Sequence, residues 1–267
     1  MNTLTDTEFT RFQRFIYDAA GITLTPAKKA LVCGRLSKRV AAHELASFGE
    51  YFELLSDGRH AAEVQTAVDL LTTNETYFFR EPRHFEMLRE LAARHGGRGP
   101  AFRVWSAASS SGEECYSIAM VLADVLGQAP WEVVGTDIST RVLQRARTGH
   151  YPLERTRNIP PAYLKRYCLR GTGEQAGTLL VERALRQRVK FAHVNLNADL
   201  PQLGGFDVVF LRNVMIYFNG DTKRRVVARV LSQLEPGGHL FIGHSESLND
   251  ISTAVEQLAP SIYRKPG

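Results

Sequence analysis

The chain has 267 residues, 44% of them apolar, and a formal net charge of +5. At roughly 100–200 residues per domain, this length predicts one large core plus a smaller unit. The segment MNTLTDTEF lacks a basic stretch followed by an apolar run, and no window approaches the ~20 apolar residues of a membrane span. We therefore expect a cytoplasmic protein without direct membrane insertion. The three widely spaced cysteines match neither a disulfide framework nor a zinc pattern, which predicts free thiols.

The first quarter of the chain predicts a small all-α domain, residues 1–73. Thr5 and Glu8 form a capping-box pattern ahead of an apolar helical face. Pro26 predicts the start of a second helix, because its missing N–H costs nothing at a first helical position. Two further helices are predicted at 47–55 and 60–71.

The second predicted helix carries basic residues and no acidic ones. Its cations are Lys28, Lys29, Arg35, Lys38 and Arg39. A run of like charge is commonly a solvated surface, and the alternative is an electrostatic docking site for an acidic partner.

The segment TTNETYFFR, residues 72–80, joins the helical domain to the rest of the chain. A polar and aromatic linker is well placed to close over a pocket, so we assign residues 74–80 to the ligand site. Asn74, Thr76 and Arg80 are its polar candidates.

The segment FRVWSAASSSGEECYSIAM, residues 102–120, predicts a strand, a turn of small residues and a helix. The small residues at 107–112 allow a ligand to lie against the backbone. A pyrophosphate-binding turn aims bare helix N–H groups at its ligand, whereas Glu113 and Glu114 at the helix start would repel a pyrophosphate. The pattern favours a neutral or cationic ligand.

The segment WEVVGTD, residues 131–137, predicts a second strand that ends in Asp137, with Ser139 as the N-cap of the next helix. An acidic residue at that end of a parallel strand can accept both hydroxyls of a ribose. S-adenosylmethionine fits both segments, because it has a ribose, a cationic centre and no phosphates. Its product is S-adenosylhomocysteine. The alternative is an ordinary turn with solvent-facing acids.

From Phe102 onward the pattern alternates strands and helices. It predicts an α/β fold with a doubly wound, mostly parallel sheet in residues 81–267. Short extended pieces joined by the turn LRGTGEQAG predict an inserted antiparallel β-subdomain at 163–193. The last predicted element is an edge strand at Ser261–Arg264. The other strand candidates are 102–107, 132–136, 189–193, 206–211 and 239–243, with a helix at 221–234.

The segment FDVVFLRNVMIYF, residues 206–218, places Arg212 and Asn213 where a buried parallel strand meets its loop. Polar residues at that position commonly line the ligand crevice. Each could instead cap a turn or pair with a carboxylate. Tyr77 and Tyr217 are weaker candidates, because aromatic residues at such spacings are more often part of the core.

Taken in order, these motifs resemble the CheR family, the bacterial chemotaxis receptor glutamate methyltransferases. The resemblance covers nearly the whole chain. The departures are Cys115, where many members have proline, and Ser109, in a turn that often carries cysteine; neither touches the cofactor contacts. The segments that carry the resemblance are TTNETYFFR, VWSAASSSGEE, GTDIS, RGTG, VNLN, LRNVMIYF and LEPGGHLFIGHSES.

The resemblance implies a Rossmann-like methyltransferase sheet and S-adenosylmethionine as cofactor. It also implies that Arg80, Arg212 and Tyr217 lie near the methyl-transfer centre. The positions implied to contact the cofactor are Asn74, Thr76, Arg80, Glu113, Asp137, Asn195, Leu196, Arg212 and Asn213.

Two docking surfaces for chemoreceptor cytoplasmic domains follow from the same resemblance. The basic second helix is implied to face the receptor's methylation helices. The β-subdomain of some members binds a short C-terminal receptor peptide by strand addition. The turn at Arg170, Gly171 and Gly173 resembles the form found in those members.

The implied reaction is methyl transfer to a receptor glutamate, which yields a methyl ester for sensory adaptation. A glutamate has a reference pKa of about 4.3, so it is ionised in the cytosol and needs no general base. We expect Arg80 or Arg212, helped by the Tyr217 hydroxyl, to orient the acceptor carboxylate, and Glu113 to hold the cofactor.

Two other interpretations remain open. The same cofactor could serve another acceptor, such as RNA or a small molecule, although no RNA-recognition signature accompanies the basic charge and we expect no nucleic-acid partner. The chain could also be a receptor-binding adaptor without turnover. A monomer is the default expectation.

Overall fold

The computed structural model describes residues 3–267, so the first two residues of the predicted 1–73 domain lie outside it. An N-terminal helical unit comes first. The Thr5 hydroxyl accepts from Glu8 N, and the Glu8 carboxylate accepts from Thr5 N at 2.8 Å, which forms the predicted capping box. Pro26 opens a 3-10 turn, Pro26–Lys28, that leads into the second helix. The helices are α1 Asp6–Ala20, α2 Lys29–Ala42, α3 Phe48–Ser56 and α4 Ala61–Leu71.

A seven-stranded sheet forms the centre of the molecule. The strands are β1 Phe102–Ser106, β2 Trp131–Asp137, β6 Val189–His193, β7 Phe206–Leu211, β8 Leu234–Ile242, β9 Glu256–Ala259 and β10 Ile262–Arg264. Their order is β6-β2-β1-β7-β8-β10-β9. The five strands from β6 to β8 are parallel, and β10 and β9 are antiparallel. The predicted doubly wound sheet is confirmed. The last strand, however, is covered by β9 and is not at the edge.

The sheet buries a different core on each face, because successive strand residues point to opposite sides. Trp105, Val209 and Leu240 pack with the helical unit and with α10, Gly220–Ser232. Val104 and Phe210 pack on the other face, against α5, Pro82–His95, and α6, Glu113–Leu126. The mixed composition of each strand therefore reflects two covered faces. Within residues 3–267, no helix is long and apolar enough to cross a bilayer.

A second, three-stranded antiparallel sheet follows α7, Thr140–Thr148. Its strands are β3 His150–Pro152, β4 Cys168–Arg170 and β5 Thr178–Val181, with β5 in the middle. Two short helices accompany it, α8 Pro161–Tyr167 and α9 Arg183–Arg186. This small sheet begins earlier and ends earlier than the predicted 163–193 subdomain. Its first strand has only three residues, too few to show alternation, and Val189–His193 pairs in the main sheet.

The helical unit is fastened to the sheet by polar contacts. Asp69 of α4 accepts hydrogen bonds from Thr140 N and Arg141 N, so it caps α7 from another unit. Ser139 occupies the predicted N-cap position, but its hydroxyl makes no capping bond. The Arg35 guanidinium donates to the Leu71 and Thr72 carbonyls, which fixes the start of the linker.

Candidate active site

A cavity opens at the carboxyl ends of β1 and β7. The strand order reverses between these two strands, which is where doubly wound sheets bind ligands. The cavity holds about 920 Å³ of space, part of it open to solvent. The linker, the turn after β1, the ends of β2 and β7, and the segment after β6 all contribute to its wall.

Asp137 ends β2 at the cavity and is 7% exposed. One carboxylate oxygen accepts from Ser110 N at 2.8 Å and the other from Ser139 N at 2.9 Å. Burial raises the pKa of this carboxyl, while the backbone hydrogen bonds act to lower it. Each oxygen keeps a lone pair free, so the geometry suits a ligand with two adjacent hydroxyls.

The turn after β1 brings the backbone close to the cavity. Ala107 and Ala108 line the cavity with small side chains. Gly112 has φ +94°, and a Cβ there would lie 2.9 Å from Ala146 Cβ and 3.0 Å from the Tyr151 hydroxyl. Only glycine fits this position, which is the start of α6.

The paired glutamates that open α6 point to different places. Glu114 lines the cavity, with its carboxylate held by Ser106 and Arg212, whereas Glu113 is not part of the cavity wall. Glu113 instead accepts from the Ser111 hydroxyl and pairs with Arg155 at 2.6 Å. Burial raises the pKa of both glutamates. The structure thus places Glu114 on the cavity wall and the predicted ligand residue Glu113 behind it.

Arg212 follows β7 and is almost completely buried. Its Nη1 lies 2.7 Å from Glu114 Oε2, and its Nη2 lies 3.0 Å from Glu81 Oε2. The same Nη2 also donates to the Arg80 carbonyl at 2.6 Å. Both terminal nitrogens of this guanidinium are therefore engaged, and two carboxylates already balance its charge, whereas its Nε is buried without a hydrogen-bond partner in the described chain.

Arg80 differs from Arg212 in every respect that matters for a carboxylate ligand. It is half-buried on the cavity wall and lies over the Tyr77 ring at 5.6 Å. Within the described chain its side chain donates one hydrogen bond, to the Glu75 carbonyl, and no carboxylate of residues 3–267 pairs with it. Tyr217 is also half-buried on this wall. Arg80 therefore has donors available for an anionic ligand.

The remaining predicted cofactor residues all line the cavity. Asn74 hydrogen-bonds the Thr72 hydroxyl, and its carbonyl accepts from Ser110. The Asn195 amide is used elsewhere, since it donates to the Ala19 carbonyl of α1 at 2.7 Å. Thr76 and buried Leu196 complete this group.

Asn213 has a left-handed backbone, φ +56°, which is unusual for a residue with a side chain. Glu246, which sequence reasoning missed, holds it there: Glu246 Oε2 accepts from Asn213 N at 2.9 Å and from Gly243 N at 2.7 Å. Ser110 and Glu81 also have positive φ beside the cavity. Strained backbone of this kind concentrates at functional sites.

The five predicted docking cations of the basic helix are not equivalent. Arg39 pairs with Glu63, Lys29 pairs with Asp6, and Arg35 binds the linker carbonyls. Lys28 and Lys38 are exposed, and neither has an ion pair within residues 3–267. Internal partners therefore use more than half of the charge that the sequence assigned to docking.

The turn of the small sheet has a structural reason for its glycines. A Cβ on Gly171 would lie 2.0 Å from the Gln175 carbonyl oxygen, and Gly173 has φ +56°. Arg170 is exposed on the outer strand β4.

The doubly wound sheet, the ribose-type carboxylate and the phosphate-excluding helix start define an S-adenosylmethionine-dependent methyltransferase. The fit is supported by Asp137, whose two oxygens face the cavity end of β2, and by the turn of small residues after β1. The CheR methyltransferase all-alpha domain matches residues 7–72, and the CheR methyltransferase SAM binding domain matches residues 74–263. The chain belongs to the CheR methyltransferase family.

Relatives of similar length support the same assignment. The chain is 43% identical to a chemotaxis protein methyltransferase of Escherichia coli (strain K12), over 97% of this chain and 91% of the relative. It is 43% identical to the chemotaxis protein methyltransferase of Salmonella typhimurium, over 97% and 90%. It is also 44% identical to chemotaxis protein methyltransferase 2 of Pseudomonas aeruginosa, over 96% and 92%.

Proposed function

We propose that this protein transfers a methyl group from S-adenosylmethionine to glutamate side chains of chemoreceptors, giving glutamate methyl esters. It does so in the cytoplasm and as a monomer. Near full-length similarity to chemotaxis protein methyltransferases supports the receptor substrate. One observation supports a carboxylate as the methyl acceptor: the charge of Arg80 on the cavity wall is not neutralised within residues 3–267.

The chemistry needs positioning more than acid or base catalysis. The bound cofactor supplies an electrophilic methyl group: the carboxylate oxygen forms a bond to the methyl carbon, the carbon–sulfur bond breaks, and its electron pair stays on sulfur. No proton is transferred, because the acceptor, with a reference pKa of about 4.3, is already ionised. The task of the protein is to hold oxygen, carbon and sulfur in line at near-attack distance.

The residues divide this task in a definite way. Arg80 orients the acceptor carboxylate through one donor pair, and the Tyr217 hydroxyl assists. Arg212 has an indirect role: it fixes the carboxylates of Glu114 and Glu81 and neutralises their charge. Asp137 binds the ribose hydroxyls. The rest of the cofactor contacts come from Asn74, Thr76, Asn195, Leu196 and Asn213, with Glu114 replacing the predicted Glu113.

Receptor docking uses two surfaces. Lys28 and Lys38 present the exposed charge of the basic helix to the acidic methylation region of the receptor. The outer strand β4, with Arg170 at its end, accepts a C-terminal receptor peptide as an added strand. The conformation of the Gly171–Gly173 turn supports this interpretation because it keeps β4 and β5 paired as a hairpin.

The test is transfer of labelled methyl from S-adenosylmethionine to receptor-containing membranes, scored as base-labile methanol. Labelled methanol after base treatment is the expected result, because a carboxyl ester hydrolyses in base. Base-stable label would overturn the carboxylate acceptor. A parallel reaction with receptors lacking the C-terminal peptide separates the surfaces: reduced labelling supports strand addition, and unchanged labelling removes it from the proposal.

A further inference from the structure

Arg155 connects the small sheet to the wall of the cofactor cavity. It lies in a 3-10 turn, Leu153–Thr156, directly after β3. Its guanidinium Nη2 lies 2.6 Å from Glu113 Oε1, and it also donates to the Thr76 carbonyl at 3.0 Å. One side chain thus contacts the first residue of α6 and the linker that covers the cavity.

The partner of Arg155 is a carboxylate with no solvent exposure. The other oxygen of Glu113 accepts from the Ser111 hydroxyl at 2.8 Å. Burial raises the pKa of Glu113, and Arg155 is the strongest influence in the opposite direction. Removing one partner of a buried pair leaves an uncompensated charge, which is costly, so the first turn of α6 would have to rearrange.

A neighbouring tyrosine of the same small sheet makes a parallel connection. Tyr151 of β3 donates its buried hydroxyl to the Ser111 carbonyl at 2.7 Å. Its ring packs edge-on against Phe78 of the linker, with centroids 5.0 Å apart. The small sheet therefore holds both the linker and the turn at 109–113, which contribute Thr76 and Ser110 to the cavity wall.

We propose that Arg155 is a positioning residue of the cofactor site. It fixes Thr76 and the first turn of α6 in the conformation that binds S-adenosylmethionine. The small sheet is thus part of the cofactor-binding machinery, in addition to any docking of a receptor peptide. This inference depends on the cofactor site alone and not on the identity of the methyl acceptor.

The test is calorimetric binding of S-adenosylhomocysteine to the full chain, which needs no methyl acceptor. Arg155→Met keeps the length of the stem and removes the charge. We expect it to weaken binding about 10- to 100-fold, because it removes the charged donor that holds the Thr76 carbonyl and leaves the buried Glu113 carboxylate unpaired. The double variant Arg155→Met with Glu113→Gln should regain the part of this loss that comes from the unpaired Glu113 carboxylate, but not the part that comes from the missing hydrogen bond to the Thr76 carbonyl.

The matched control is Arg166→Met. Arg166 is an arginine of α8, beside the small sheet; it pairs with Asp124 and lies away from the cavity wall. We expect its binding constant to match that of the unchanged protein. In turnover assays Arg155→Met should raise KM for the cofactor more than it lowers kcat, whereas general loss of structure would lower the active fraction at unchanged KM.

Three results would overturn the positioning role. The first is binding by Arg155→Met at the unchanged affinity. The second is an equal loss in Arg155→Met and Arg166→Met. The third is a double variant whose loss of binding free energy equals the sum of the losses in Arg155→Met and in the single variant Glu113→Gln, measured alone, since that would show that Arg155 and Glu113 act independently.

Discussion

Two arginines at one cavity perform different tasks because their neighbours differ. Arg212 lies between two glutamates and is almost completely buried, so its charge is neutralised inside the protein. Arg80 lies over an aromatic ring with its charge unpaired within the described chain. A guanidinium binds an added carboxylate best when its fork of donors is still available. The acceptor therefore belongs with Arg80.

Replacement of Arg80 by methionine tests this assignment. We expect Arg80→Met to lower kcat for receptor methylation about 100-fold at saturating cofactor, because a misplaced acceptor loses the aligned geometry. The measurement is initial-rate methylation of receptor membranes. Arg83→Met, an exposed arginine in the first turn of α5, is the control and should retain full turnover. Turnover of Arg80→Met close to that of the control would contradict an orienting role.

The loop after β7 depends on a carboxylate from a distant part of the chain. Glu246 accepts from Asn213 N, Gly243 N and Ile216 N, which holds Asn213 in its left-handed conformation. A Cβ on Gly243 would lie 2.4 Å from the Asn213 amide nitrogen, so the two segments are in close contact. This element is shaped by tertiary contacts more than by its own sequence.

We expect Glu246→Gln to weaken the cofactor site, because an amide nitrogen cannot accept from these backbone donors. The expected result is a KM for S-adenosylmethionine raised about tenfold, which corresponds to roughly one lost charge-assisted hydrogen bond. Initial-rate kinetics at varied cofactor concentration measure it. Glu256→Gln, on the exposed strand β9, is the matched control. A KM equal to that of this control would show that the loop does not need Glu246.

The helical unit contains an ion pair between the buried Glu63 and the half-buried Arg39. Arg39 Nε donates to Glu63 Oε1 at 2.7 Å, and the Tyr51 hydroxyl donates to the same oxygen at 2.6 Å. Burial acts to raise the pKa of Glu63, but the hydrogen bonds from Arg39, Tyr51 and His43 outweigh it and hold the pKa at about 2. The ionised form of Glu63 is therefore stabilised by folding.

This pair predicts a pH-dependent loss of stability. A carboxyl whose pKa is lowered on folding stabilises the protein above its unfolded pKa, here 4.5, and loses that contribution as the pH falls toward about 2. Glu63→Gln should lower the free energy of unfolding at pH 7 by about 2–3 kcal/mol. It should also reduce the change in the free energy of unfolding between pH 4.5 and about 2, as measured by urea denaturation. Glu53→Gln, at an exposed pair with Arg11, should change stability by less than about 1 kcal/mol.

At the scale of the whole molecule, the helical unit and the sheet share one continuous core. Phe12 and Ile16 of α1 belong to the same buried cluster as Trp105 and Val209 of the sheet. Asp69 adds a polar connection by capping α7 across the boundary. Because the two units share a core and a helix cap, we expect them to unfold together.

Tryptophan fluorescence reports on the sheet, because both tryptophans, Trp105 and Trp131, lie there. Far-ultraviolet circular dichroism reports on the helices of both units. We expect the two signals to show coincident transitions in urea. Asp69→Asn should lower the midpoint of both together, because one of the two carboxylate oxygens that accept from Thr140 N and Arg141 N becomes an NH2 donor. Asp18→Asn, an exposed carboxylate of α1, is the control. Separate transitions for the two signals would show that the units unfold independently.

The sequence by itself determined the doubly wound sheet, the helical unit and most of the cavity wall. These features depend on local patterns: apolar strands that end in Asp137 or Arg212, and a capping box at Thr5. A parallel sheet brings the carboxyl ends of its strands to one edge, so residues at those ends meet whatever the details of packing. The order of the motifs also predicted the family.

Only the tertiary structure decided which charges are free. The sequence offers Glu113 and Glu114 as equals, but one pairs with Arg155 and the other faces the cavity. It offers Arg80 and Arg212 as alternatives, but two glutamates already neutralise Arg212. These partners lie 42 to 131 residues apart in sequence on different elements, and ion pairing over such separations follows from how the elements pack. Local residue patterns carry no record of that packing.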